Sequence, residues 1–325
     1  MTWLKARRWA VSIALASLGH TASAATLVVA PQSALPTVAM ALSRAADGDT
    51  IEVHSGTYRG DVAVIRHRRL TIRGVGTRPV MLADGRDAEG KAIWVVRDGD
   101  ITIENIEFRG ARVPDGNGAG IRFERGRLTV RHCAFLDNEN GILTSNIEQG
   151  RLLIDDSEFG DAPTRIGTLQ HLLYIGRIAQ AVITGSHFHD GHRGHLIKSR
   201  AAETVITGNR IVDGPRGRAS YEIDLPNGGL ARVAGNTIGQ SALTDNPVMV
   251  SYGAEGAHWP VNALVLEDNV MINERPAGGS FVRVWRDRLR GDAQVTVRRN
   301  RLVGPGSLDA GEGAVLEANI EAARP

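Results

Sequence analysis

The octapeptides Ile101–Phe108 (ITIENIEF), Leu128–Phe135 (LTVRHCAF), Leu152–Phe159 (LLIDDSEF) and Ala181–Phe188 (AVITGSHF) share one chemical profile. It continues in Thr204–Ile211 (TVITGNRI), Ala231–Ile238 (ARVAGNTI), Leu264–Met271 (LVLEDNVM) and Val295–Leu302 (VTVRRNRL). The starts lie 27, 24, 29, 23, 27, 33 and 31 residues apart, within the range of roughly 20 to 50 residues that marks stacked repeats. Apolar residues hold mainly the first, third and eighth positions, so the first half alternates as a strand with one buried face does. Val and Ile suit a pleated surface, and Gly, Asn and Asp occupy the turns. One short strand returning per circuit predicts a parallel β-helix with neighbouring coils roughly 4.8 Å apart. The sixth position carries Asn209, Asn236, Asn269 and Asn300, with Cys133, Ser157 and Ser186 in other phrases. Such a run predicts a ladder at a bend, with side-chain amides bonded from coil to coil.

Composition agrees with an all-β, single-domain solenoid. The 38 glycines supply turn conformations, and 5% aromatic residues fits an interior of stacked aliphatic side chains. A chain of 325 residues has room for two domains, but repeats join their cores end to end, so one elongated domain is the economical reading. Solenoid ends need covers, and Ser33–Ala45 (SALPTVAMALSRA) is expected to form a short amphipathic helix over the first coil. Asp49–Val53 follows as a strand, and Leu70–Arg73 reads as an early rung. The single cysteine, Cys133, excludes an intramolecular disulfide and a multi-cysteine zinc site. Its sixth-position placement predicts a small buried residue rather than a nucleophile.

Lys5, Arg7 and Arg8 precede the apolar stretch Trp9–Leu18 and then Ala22-Ser23-Ala24. This is the pattern of a secretory signal peptide over 1–24, leaving a β-helix domain over 25–325 bound for the periplasm or the exterior. No other stretch approaches the roughly 18 apolar residues of a membrane span. Removing the three leader cations from 38 leaves 35 against 36 acidic residues, about −1. Balanced charge gives no electrostatic footprint for nucleic acid or an anionic membrane, and a monomer is expected.

The cap segment, Asp47-Gly48-Asp49-Thr50-Ile51, the Gly56-Thr57-Tyr58 step and the repeated phrase together resemble the right-handed parallel β-helix proteins of the pectate-lyase-like superfamily. The resemblance spans essentially the whole chain after the leader. It implies the fold firmly and the activity loosely, because that superfamily includes lyases, glycoside hydrolases, epimerases, esterases and adhesins.

The phrase starts also serve as a ruler. Nine residues before the starts at 181, 204 and 231 stand Leu172, His195 and Glu222, and seven before stand Tyr174, Ile197 and Asp224. With Leu173, Leu196 and Ile223 inward, both sets face outward on one sheet. Four residues before the starts come Arg177, Arg200 and Asn227, suited to holding carboxylates or sulfates of an acidic sugar chain. Lys198 lies between the columns, its parity matching the inward Leu196.

Three chemistries can use this patch. β-Elimination of a uronate polymer needs a base, a cation for the developing enolate and an acid for the leaving oxygen. Lys198 or His195 would be the base, Arg200 and Arg177 the cations and Tyr174 the acid. Ile197-Lys198-Ser199 resembles the Lys-Ser element of alginate-lyase-like β-helix enzymes, which implies a lysine base. The Arg-His-Gly of that family is replaced by Leu225-Pro226-Asn227-Gly228. Hydrolysis would use Glu222 and Asp224, about 6.6 Å apart by strand rise. Epimerisation shares the elimination intermediate, though the Asp-Pro-His-Asp element of alginate epimerases is missing. A non-catalytic polysaccharide-binding or structural solenoid is the competing class.

His187, His189, His192 and His195 invite a metal reading, with Glu222 and Asp224 as further ligands. Their spacing favours structural or solvent-facing roles, so no metal site is assigned. Calcium through Glu222, Asp224 and Asp190 is compatible with the donor types and not required by them. Tyr252 and Trp259 in Ser251–Pro260 (SYGAEGAHWP) are candidate floors of a sugar site, and Trp285 is expected to pack on the C-terminal coils.

Overall fold

The phrase keeps its register from Ile101 to Val295. A computed structural model describes residues 24–164, 169–289 and 293–322; the leader expected at 1–24 lies, except for Ala24, outside the described residues. Each circuit contributes short strands to three parallel sheets of 12, 11 and 10 strands. The first half of each phrase enters the first sheet, as Asp100–Glu104 and Arg127–Arg131 do. Its end enters the second sheet, as in Glu107–Arg109. The third sheet is built from segments between phrases, such as Ala119–Phe123 and Ile197–Ser199. The chain is a parallel β-solenoid of about ten turns, as the 10 strands of the third sheet count them.

First-position residues pair in one unbroken line: Ile101 with Leu128, then Leu152, Ala181, Thr204, Ala231, Leu264 and Val295. Third-position residues do the same, and all of them are fully buried. Eighth-position Phe108, Phe135, Phe159 and Phe188 stack with ring centroids 5.1, 4.7 and 4.8 Å apart, and Trp94 closes the column edge-on at 4.9 Å from Phe108. Each buried ring contributes about 2–3 kcal/mol of apolar burial.

The bend between the first two sheets is made by the fifth residue of the phrase. Asn105, His132, Asp156, Asp268 and Arg299 all take a left-handed φ between 42° and 57°, and Gly185, Gly208 and Gly235 take 57° to 66°. One left-handed residue turns the chain and aims the sixth side chain inward. The ladder then runs Cys133 to Ser157 to Ser186 to Asn209 through backbone amides donating to the next side-chain oxygen at 2.8–3.1 Å. From Asn209 to Asn236, Asn269, Asn300 and Asn319, both the backbone amide and the side-chain amide donate to the next Oδ1. Cys133 is fully buried, and burial pushes its thiol up to about 12, so it stays a neutral packing residue.

Among the described residues, helix near the N-terminal end is confined to five residues, Val38–Leu42, with Val38, Ala41 and Leu42 buried. This is far shorter than the helix expected over Ser33–Ala45. The Ser33 hydroxyl instead accepts from the Ala30 and Leu35 amides in a turn, and Pro36 disfavours helical geometry at Leu35. Thr37 caps the start through Met40, and the Asp61 carboxylate accepts from the first two helical amides at 2.6 and 3.1 Å. Among the described residues no helix is long and apolar enough to cross a membrane.

Candidate functional site

On the third sheet, Tyr174 of the strand Leu173–Ile175 pairs with Lys198 of Ile197–Ser199, which pairs with Asp224 of Ile223–Leu225. The three form one outward column, because Leu173, Ile197 and Ile223 fill the interior beside them. Lys198, rather than Ile197, therefore stands between Tyr174 and Asp224. The ruler slips at this coil because the return to the first sheet is one residue shorter: Ile175 precedes Ala181 by six, whereas Ser199 precedes Thr204 by five.

Four charged groups converge here. Lys198 Nζ lies 3.3 Å from Asp224 Oδ2 and 2.9 Å from Glu255 Oε1. Arg200 grips the same Glu255 carboxylate with both terminal nitrogens, at 2.7 Å to Oε2 and 3.0 Å to Oε1. Its Nε donates to Tyr174 Oη at 3.3 Å and its Nη1 to Asn227 Oδ1 at 2.5 Å. Lys198 and Arg200 both stand 5.8 Å from the Tyr174 ring centroid. Glu255 is the residue sequence reasoning missed. It lies on the connection after Val248–Tyr252, 57 residues beyond Lys198, with no repeat signal of its own.

That connection folds back along the axis. Glu255 and His258 donate backbone amides to Pro226 and Asn227 carbonyls, the Trp259 indole donates to the Arg200 carbonyl at 3.0 Å, and His258 Nε2 meets Glu148 Oε1 at 3.2 Å. Trp259 thus anchors a strap across the cluster. Asn227 ties both sides together by donating to the Gly256 carbonyl at 3.0 Å.

His171, His195 and Tyr221 stack beside the column, with centroids 4.6 and 4.8 Å apart. His171 Nδ1 accepts the His195 amide at 2.9 Å and His195 Nδ1 accepts the Tyr221 amide at 3.3 Å, so the neutral rings carry their protons on Nε2. Burial, reinforced by Lys198 and Arg200, brings His171 down to about 3 and His195 well below the usual imidazole range. His195 is consequently neutral, with its Nε2–H 3.6 Å from Asp224 Oδ2.

Burial raises Asp224 to about 6 against the pull of Lys198. Glu255 feels burial too, yet its bonds to Arg200 and Lys198 bring it down to about 2. One ammonium therefore separates a carboxyl poised near neutrality from one that is firmly ionised.

The remaining expected residues lie elsewhere. Glu222 is fully buried because the strand begins only at Ile223; burial, with Asp213 nearby, pushes its carboxyl well above the ordinary range, and it forms no outward pair with Asp224. Tyr252 is also interior, its hydroxyl donating to the Gly229 carbonyl at 2.6 Å, so it floors no sugar site. Arg177 is exposed and falls out of line, since Arg200 follows Ser199 and so lies beside Gly176. Trp285 stacks between Arg283 and Arg288, 4.1 and 4.6 Å from its centroid. The histidine run is divided: His187 lies in the second sheet, His192 in a loop, and His195 beside the third-sheet column. Asp190 is bound to His189 and Arg216, so it does not join Glu222 and Asp224 around a calcium ion.

Beyond Tyr174 the outer face opens into a cleft of about 390 Å³ lined mainly by polar groups, among them Lys91, Asn117, Arg122, Asn146 and Tyr174. Lys91 and Arg122 share Glu124 at 3.0 and 3.4 Å. This polar groove shares Tyr174 with the ionic cluster. The fold and this face define a parallel β-helix with a polar groove and a buried ion-pair network. No family model matches the chain, and no curated protein matches it.

The raised Asp224 carboxyl predicts a cost for its buried charge. A carboxyl raised in the folded state stabilises fully below its ordinary value of 3.8, and that stabilisation is lost as pH rises through about 6. Two pH units correspond to about 3 kcal/mol at most. Asp224→Asn removes the loss while leaving Glu255 to hold Lys198, so its melting temperature at pH 7 should exceed that of the native protein. Thermal unfolding at pH 4 and pH 7 checks this, and parallel falls in both proteins would show that the Asp224 charge costs nothing.

Proposed function

We propose that this β-helix binds an acidic, uronate-containing polysaccharide in the groove and cleaves it by β-elimination, acting as an exported polysaccharide lyase. The observation that carries the reading is the carboxylate already seated between Arg200 and Lys198, held through both oxygens. A fork of this kind suits a planar carboxylate, and a substrate uronate would occupy it as Glu255 swings out on its exposed strap. The polymer would extend past Tyr174 into the cleft of Lys91 and Arg122.

In the reaction, Arg200 stabilises the charge that develops on the substrate carboxylate as the C5 proton leaves. Lys198 takes that proton, after delivering its own to Asp224 across the 3.3 Å contact. The neutral His195 N–H steadies Asp224. Tyr174 gives its phenolic proton to the departing glycosidic oxygen, and Arg200 Nε stabilises the phenolate left behind.

One observation favours hydrolysis as the second reading: Asp224 near 6 and Glu255 near 2 are a carboxyl pair with separated titrations, as an acid and its partner require. Incubation with a panel of uronate polymers separates the readings. The expected result is new ultraviolet absorbance from unsaturated ends. New reducing ends without that absorbance would establish hydrolysis, and binding without either signal would establish a non-catalytic module.

A further inference from the structure

A second cluster stands on a different face. On the second sheet Glu158 pairs with His187, and His189 follows two residues later on the same side of the chain. Glu158, His187 and His189 each offer a ligand atom, all within 4.8 Å of one another. His189 Nε2 lies 3.1 Å from Glu158 Oε1, close to the separation of roughly 3.4 Å between ligands of a tetrahedral ion with bonds of about 2.0–2.2 Å.

The His189 ring is held in place on two sides. Its Nδ1 meets Asp190 Oδ2 at 2.9 Å, and Asp190 is held in turn by Arg216 at 2.9 Å. This is the outer carboxylate that orients a ligating imidazole and directs its Nε2 at the ion. Beneath the ring lies Gly160, where a Cβ would come within 2.3 Å of His189 Cε1, so only glycine lets the imidazole rest there. Next in the column after His187 comes Arg210, which offers a metal nothing and leaves three protein ligands with a fourth position for water.

We propose that Glu158, His187 and His189 bind one divalent transition-metal ion of the zinc class, through two imidazole nitrogens and one carboxylate oxygen, with Asp190 positioning His189. Borderline metals match this donor set better than calcium or magnesium, which take oxygen. The site lies on the second sheet, away from the third-sheet groove, and is independent of the reaction proposed there.

Chelator-stripped full-length protein titrated with Co²⁺ should develop a saturable visible spectrum at one ion per chain, displaced by Zn²⁺. His187→Gln and His189→Gln should each weaken binding at least about tenfold, and Asp190→Asn by roughly 10–100-fold. Lys198→Ala should bind as the native protein does. The native titration needs no variant to be decisive: absence of a saturable spectrum would overturn the site and leave His189 as a hydrogen-bonded bridge between Glu158 and Asp190. Affinity unchanged in both folded histidine variants would overturn it equally.

Discussion

Asn236→Ala should lower stability by about 4 kcal/mol, more than most single replacements in a solenoid interior do. Asn236 Oδ1 accepts from the Asn209 amide at 2.8 Å and from its Nδ2 at 3.0 Å, while Asn236 Nδ2 donates to the Ile206 carbonyl and to Asn269 Oδ1, both at 2.9 Å. Alanine removes four bonds and strands their partners in a buried layer, where each orphaned group costs about 1–3 kcal/mol. Some of that is recovered by local relaxation, and the total of about 4 follows from roughly 1 kcal/mol per bond. Asn236→Asp tests the chemistry more sharply. It is nearly isosteric and keeps the acceptor, yet it turns a carboxylate oxygen toward the Ile206 carbonyl and Asn269 Oδ1, so it should be at least as damaging at neutral pH. Ser157→Ala provides the scale, since Ser157 Oγ makes only one acceptor and one donor bond, at 3.1 and 2.9 Å. Urea midpoints for the three variants should rank accordingly, and a loss below about 1 kcal/mol for Asn236→Ala would mean the ladder is decorative.

Why the ladder can be read from the sequence while much of the site cannot is a matter of which contacts repeat. Phrase register, phenylalanine stack and asparagine ladder arise from residues at fixed offsets within one octapeptide, and every coil repeats the same constraint. Parity then locates Tyr174 and Asp224 correctly. It fails at Lys198 because the turn before Thr204 is one residue shorter, and a single deletion exchanges the inner and outer faces of a strand. Glu222 is misplaced for a related reason, since alternation applies only within a strand and the strand starts one residue later. Glu255 carries no periodic signal at all. It reaches Lys198 and Arg200 because Trp259 and His258 pin a non-repeating strap back over earlier coils, a contact that sequence spacing does not encode. The second-sheet donors have the opposite history: two of the four spaced histidines share a strand face, and their third partner is supplied by the preceding coil.

Lys198→Ala and Asp224→Asn should each reduce turnover of a uronate polymer by about 10²–10⁴, the range a positioned acid or base supplies. Lys198→Ala loses the abstracting amine outright. Asp224→Asn leaves the amine but removes the carboxylate that receives its proton, so native activity should rise as pH passes through about 6 and the Asp224→Asn variant should lack that rise. Arg200→Lys keeps the charge and loses the two-pronged grip, and should weaken substrate binding as well as rate. Glu255 decides between the two reactions. If it is an internal occupant of the carboxylate fork, Glu255→Gln weakens its bonds to Lys198 and Arg200 and should lower KM while leaving kcat near native. If it is the partner carboxyl of a hydrolase, the same change should abolish turnover. Steady-state rates for Glu255→Gln, followed both as unsaturated ends and as reducing ends, therefore test the fork itself: a residue that competes with substrate and one that attacks it cannot respond alike to the loss of one negative charge.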